Sequence, residues 1–116
     1  MRQVLRAVLG LLALGLLNGF PAQAHDYPTE AIADYVFACM ATNGQTQDAL
    51  RKCSCSIDVI ASILPYEDYV QGETVLRMRQ VPGGGERMEM FRSSPVATEA
   101  VNKLKRAQVE ADLRCF

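Results

Sequence analysis

Four cysteines, Cys39, Cys53, Cys55 and Cys115, in a chain of 116 residues constrain this protein more than any other feature. A chain this short buries little apolar surface, and an even set of cysteines supplies covalent staples wherever the compartment is oxidising. The other end of the sequence names the compartment. Residues 1–24 open on Met-Arg-Gln-Val-Leu-Arg, continue through an apolar run from Ala7 to Leu17, and close on Ala22-Gln23-Ala24. A basic start, a short apolar middle and an Ala-x-Ala end are the three parts of a cleavable secretory signal peptide. The apolar run is too short for a membrane span and no second one follows, so no transmembrane segment is expected after signal cleavage. The expected organisation is a signal peptide over 1–24 and a single disulfide-stapled helical domain over 25–116. Loss of Arg2 and Arg6 takes the formal net charge from −1 to −3, which excludes a nucleic-acid binder driven by bulk positive charge.

Apolar spacing predicts an all-α fold, a small bundle of about four helices stapled by two disulfides. His25-Asp26-Tyr27 reads as a frayed start, and Pro28-Thr29-Glu30 opens the first helix. Its inward stripe is Ile32, Tyr35, Val36, Cys39 and Met40, and Asn43-Gly44 ends it because glycine accepts the backbone of a helix C-cap. Thr46 caps a second helix whose stripe is Leu50, Cys53, Ile57, Ile60, Ala61 and Leu64, up to Pro65. A third covers Tyr66 to Gln80, with Tyr69, Val70, Glu73, Leu76 and Arg77 along one side and Gly72 weakening it. Val81-Pro82-Gly83-Gly84-Gly85 is a flexible break, followed by a short amphipathic turn at Met88-Glu89-Met90-Phe91. Ser94 with Pro95 starts the last helix, running to about Arg114, with Ala97, Ala100, Val101, Leu104, Ala107 and Ala111 inward and a Glu99–Lys103 pair outside.

The first two helices form an antiparallel hairpin, because only a few residues join them. Cys39 and Cys53 both lie on inward stripes and face each other across it. Cys55 is rotated by about 200° from Cys53, to the side open to Cys115. Helix geometry therefore favours Cys39–Cys53 with Cys55–Cys115; the rival, Cys39–Cys55 with Cys53–Cys115, needs only a modest helix rotation. A Cys55–Cys115 bridge closes a loop of roughly 60 residues, which stabilises by about 4 kcal/mol in the chain-entropy model.

Little catalytic chemistry is on offer. The single histidine, His25, excludes a histidine-based triad in the mature fold, an HExxH zinc site and a CxxCH haem attachment. As the new N-terminus after cleavage, His25 would present an α-amine and an imidazole, a copper-chelating pair, without the second histidine that copper-brace enzymes use. Cys53-Ser54-Cys55 with Met78, Met88 or Met90 would suit Cu(I) only if the thiols stayed reduced, which export opposes. Asp58, Glu67, Asp68 and Glu73 are the candidate ligands for a hard cation, although no EF-hand loop is present. Tyr66, Tyr69, Met88, Met90 and Phe91 flank the glycine-rich loop and are candidates for a partner surface.

The stretch Tyr35-Val36-Phe37-Ala38-Cys39-Met40-Ala41-Thr42-Asn43-Gly44-Gln45, followed by Cys53-Ser54-Cys55-Ser56-Ile57-Asp58-Val59-Ile60, resembles an uncharacterised family of small exported helical Cys-x-Cys proteins of Gram-negative bacteria. Pro65-Tyr66-Glu67-Asp68-Tyr69-Val70, Glu73-Thr74-Val75-Leu76-Arg77-Met78 and Arg114-Cys115-Phe116 extend the resemblance over most of the mature chain. The resemblance implies a periplasmic location and an association with methylotroph gene sets for quinoprotein alcohol dehydrogenases, whose active sites use calcium or a rare-earth ion. It assigns no residue roles. The expectation is a periplasmic, non-catalytic accessory protein, not an enzyme, that binds another periplasmic protein and needs no cofactor. The alternative is a periplasmic metal-binding protein that holds calcium or a rare-earth ion on carboxylates.

Overall fold

A computed structural model describes residues 26–116, which carry five helices and no strand. The expected leader over 1–24 and His25 lie outside the described residues. In chain order the helices are α1 (Thr29–Asn43), α2 (Gln47–Ile63), α3 (Tyr66–Gln80), α4 (Gly85–Arg92) and α5 (Pro95–Cys115). The caps are those the sequence announces: the hydroxyls of Thr46 and Ser94 accept from the backbone N–H groups of Ala49 and Ala97, each at 3.1 Å. Pro95 occupies the first turn of α5, and the N–H of Gly44 closes α1 onto the Met40 carbonyl.

Both disulfides join the partners favoured by helix geometry. Cys39–Cys53 fastens α1 to α2, and Cys55–Cys115 fastens α2 to the end of α5, each with a Cα–Cα distance of 5.8 Å. α5 lies along both α2 and α3, whereas α1 packs on α2. The core therefore sits between α2, α3 and α5, where Ile57, Ile60, Leu64, Tyr69, Leu104 and Ala107 are buried together. α1 buries no residue fully; its stripe of Ile32, Tyr35 and Val36 is half-buried against that core.

Several expectations from spacing are corrected by packing. Tyr27 is not frayed: it is only 5% exposed, and its hydroxyl donates to the Leu64 carbonyl at 2.9 Å. Its ring meets Tyr66 and Tyr69 with centroids 5.1 Å away in both cases. In the first turn of α2 the buried position is Ala49, and Leu50 is exposed. On α3 the buried face is Tyr69, Gly72 and Val75, while Val70 and Arg77 look outward. The reason is Gly72, which lies against Ala100 and Leu104 of α5 and sets the rotation of α3. The Met88–Phe91 turn is part of a full helix, α4, entered through Gly83, Gly84 and Gly85, all at positive φ. Glu99 pairs with Arg106 at 3.1 Å, not with Lys103, which reaches Asp68 on α3 at 3.5 Å.

Candidate functional site

Because α1 leans on α2 and α3 leans on α5, a cleft opens between α1 and α3. Two adjoining hollows of about 570 and 460 Å³ share Asp34, Tyr69, Glu73 and Arg77 in their walls. α1 supplies Asp34 and Tyr35, α3 supplies Tyr69, Glu73 and Arg77, and α5 closes one end with Asp112. Cys39 also lines this cleft, so the Cys39–Cys53 bridge holds one of its walls in place.

The cleft is polar and weighted toward negative charge. Tyr35 and the buried Ser56 share a hydrogen bond of 2.9 Å, which satisfies a hydroxyl that would otherwise be orphaned in the core. Arg77 spans the gap to Asp34 at 3.5 Å and lies 3.9 Å from Glu73 on its own helix. Both pairs are long and Arg77 is largely exposed, so they hold the cleft walls weakly. Burial pushes the Glu73 carboxyl above its ordinary range; Arg77 opposes that shift and Asp34 adds to it. Burial also raises the Tyr69 phenol, and the charges of Glu73 and Asp34 raise it further. Burial raises Tyr35 as well, its bond to Ser56 opposing while Asp112 and Glu73 reinforce.

The candidate hard-cation ligands are dispersed. Asp58 is exposed on α2, Glu67 is exposed on α3, Asp68 pairs with Lys103, and Glu73 lies in the cleft. Among the described residues, no three His, Cys, Asp or Glu side chains gather into a metal-holding group. All four cysteines are in disulfides, so the soft-metal reading of Cys53-Ser54-Cys55 has no thiols to work with.

The candidate partner residues separate into two groups. Tyr69 is buried in the core and Tyr66 is half-buried beside Tyr27, so their rings mainly hold the N-terminal segment down. Met90 and Phe91 are exposed on α4, Met88 is half-buried, and Val81 and Val96 stand exposed at the same end of the chain's helical turnaround. A shallow, largely apolar notch of about 350 Å³ lies there, lined by Met78, Val81, Pro82 and Met88.

Spacing did not single out Arg92, which organises this end. Its side chain is largely buried; it bonds Glu89 at 3.1 Å and the Gly83 carbonyl. Arg79 in turn grips the Arg92 carbonyl at 3.0 and 3.2 Å and reaches Thr98 at 3.5 Å. Guanidinium bonds to backbone carbonyls thus tie the loop to α4 and α4 to α3, and Arg79 also reaches a hydroxyl of α5, none of which an apolar pattern discloses. No helix among the described residues is long and apolar enough to cross a membrane. No family model, curated protein or solved structure matches this chain.

Proposed function

We propose that this chain is an exported, non-catalytic binding protein that acts in the periplasm as an accessory to another protein, in support of a quinoprotein alcohol dehydrogenase system. The observation that carries the reading is the α4 end. Val81, Met90, Phe91 and Val96 are exposed there beside the apolar notch. Residues 77–92 also carry Arg77, Arg79, Arg87 and Arg92 against Glu86 and Glu89, in a chain whose formal net charge is negative. Exposed apolar side chains with the exposed Arg79 and Arg87 in the same segment have the composition of a protein–protein contact, and they fit a partner surface that is apolar at its centre and acidic at its rim. The two disulfides are compatible with an oxidising compartment, and the leader and the family resemblance point the same way.

The hard-cation alternative has less support, since Asp58, Glu67, Asp68 and Glu73 sit on different faces or in ion pairs. The test is direct binding of the oxidised exported chain to a purified periplasmic quinoprotein alcohol dehydrogenase, read by surface plasmon resonance. Binding that weakens with salt, and that is lost in Met90→Ser with Phe91→Ser, is the expected result. No binding at micromolar protein would refute a dehydrogenase partner. Binding that survives both substitutions would move the interface away from α4.

A further inference from the structure

We propose that the cleft between α1 and α3 is a binding site for a small organic cation, a protonated amine carried on an apolar or aromatic body. This site is separate from the α4 surface and does not depend on it. The first observation is the shape and lining of the cleft: hollows of about 570 and 460 Å³ whose shared wall is Asp34, Tyr69, Glu73 and Arg77. Hollows of this size suit a small molecule.

The second observation is the Tyr69 side chain. It is 8% exposed, lines both hollows, and its hydroxyl makes no hydrogen bond within the described residues. A hydroxyl in the wall of a hollow with no side-chain or backbone partner among the described residues is open to a ligand that enters it, as donor or as acceptor. The carboxylates of Glu73 and Asp34 act on this phenol, and those of Asp112 and Glu73 act on Tyr35, so both hydroxyls lie in a negative field. An ammonium group placed among them donates to the Glu73 carboxylate and to the Tyr69 oxygen together. Both acceptors are then satisfied, and the charge that burial penalises on Glu73 is neutralised. The half-buried Tyr35 ring in the cleft wall favours the same ligand, because a cation is attracted to an aromatic face. An anion would meet Asp34, Glu73 and Asp112 with only Arg77 in its favour, and Arg77 already leans on two of those acids.

The experiment uses the oxidised full mature chain and four probes: benzylammonium, its neutral isostere benzyl alcohol, benzoate, and Ca²⁺ or La³⁺. Heats are read by isothermal titration, and the binding site by amide chemical-shift changes. Benzylammonium is expected to bind with changes centred on Asp34, Tyr69 and Glu73, while benzyl alcohol and benzoate do not bind. Glu73→Gln should weaken benzylammonium by about tenfold or more, and Tyr69→Phe by about three- to tenfold, because each removes one bond to a charged group. Asp58→Asn, outside the cleft, should leave affinity unchanged. Equal binding of benzyl alcohol, no binding of benzylammonium at millimolar concentration, or unchanged affinity in Glu73→Gln would each overturn the proposal. So would tighter binding of Ca²⁺ or La³⁺ by the same residues, which would make the cleft a hard-cation site.

Discussion

Substituting Gly72 by alanine sets two opposed effects against each other at one position, and the structure says which is larger. Gly72 lies inside α3, where alanine is favoured by about 0.8–1.0 kcal/mol on helix propensity alone. On an exposed helix face the substitution would therefore stabilise. Here an added Cβ would stand 2.8 Å from the Leu104 Cβ, 3.0 Å from the Ala100 carbonyl oxygen and 3.1 Å from the Leu104 Cδ2. Ordinary contact between carbons is about 3.5–4.0 Å. The Leu104 Cβ and the Ala100 oxygen cannot swing away, since one is fixed to the backbone and the other is part of it. α3 must therefore move off α5 by more than half an ångström. That opens the packing around Leu104 and Val101, both almost fully buried. Overpacking of this kind costs typically about 1–3 kcal/mol, with the separated surfaces also losing dispersion energy. Over most of that range the clash outweighs the propensity gain, and Gly72→Ala should destabilise by about 1 kcal/mol net, and by about 2 kcal/mol at most. For a domain of this size each kcal/mol lowers Tm by about 4–8 °C. Thermal and urea unfolding followed by circular dichroism measure it. A Gly72→Ala chain as stable as the parent, or more so, would refute the claim that this glycine sets the α3–α5 distance.

Other outcomes follow from the same structure. Replacing Cys55 and Cys115 by alanine should cost about 4 kcal/mol and replacing Cys39 and Cys53 about 3 kcal/mol, since the loops they close differ in length; urea titrations of the two variants check the order. Tyr27→Phe should cost about 1 kcal/mol through its bond to the Leu64 carbonyl, whereas Tyr69→Phe should be neutral or slightly stabilising because no bond is lost. Equal losses at both positions in thermal melts would contradict that contrast. Glu73 has a raised carboxyl in the folded state, so the folded chain holds its proton to higher pH than the unfolded chain does. Stability from this group is complete below the unfolded carboxyl pKa and falls as pH rises through the folded one. Glu73→Gln should flatten that fall in a pH series of melting temperatures, and an unchanged slope would show that Glu73 is not its source.

The expected sites were legible to different degrees, for physical reasons. Thr46, Ser94 and Pro95 act on their own helix ends, so their roles were readable within a few residues of chain. The cysteine pairing was readable because two short-looped helices have few ways to lie together. The α1–α3 cleft was not readable. It exists because two helices lean on different neighbours; Tyr69 and Glu73 share one side of α3, but Asp34 of α1 and Asp112 of α5 join them only across the bundle. Apolar spacing on α3 placed Tyr69 and Leu76 inward as found but also Val70 and Arg77, which are exposed; it missed Gly72, because a glycine carries no hydropathy yet lies closest to α5.

The sequence by itself determined the helical class, the helix ends, the preferred staple pairing and the expectation of an exported chain. These rest on backbone preferences, apolar period and cysteine number, which act locally or through short loops. Only the tertiary structure decided that Tyr27 belongs to the core, that Gly72 orients α3, and that Glu99 and Lys103 choose partners other than each other. It also decided that Arg92 binds the glycine loop and that Tyr69, whose hydroxyl makes no hydrogen bond among the described residues, lines an acidic cleft. Each of these depends on the distance between helices far apart in the chain, which is set by side-chain volume at the contact and leaves no periodic trace in any one segment.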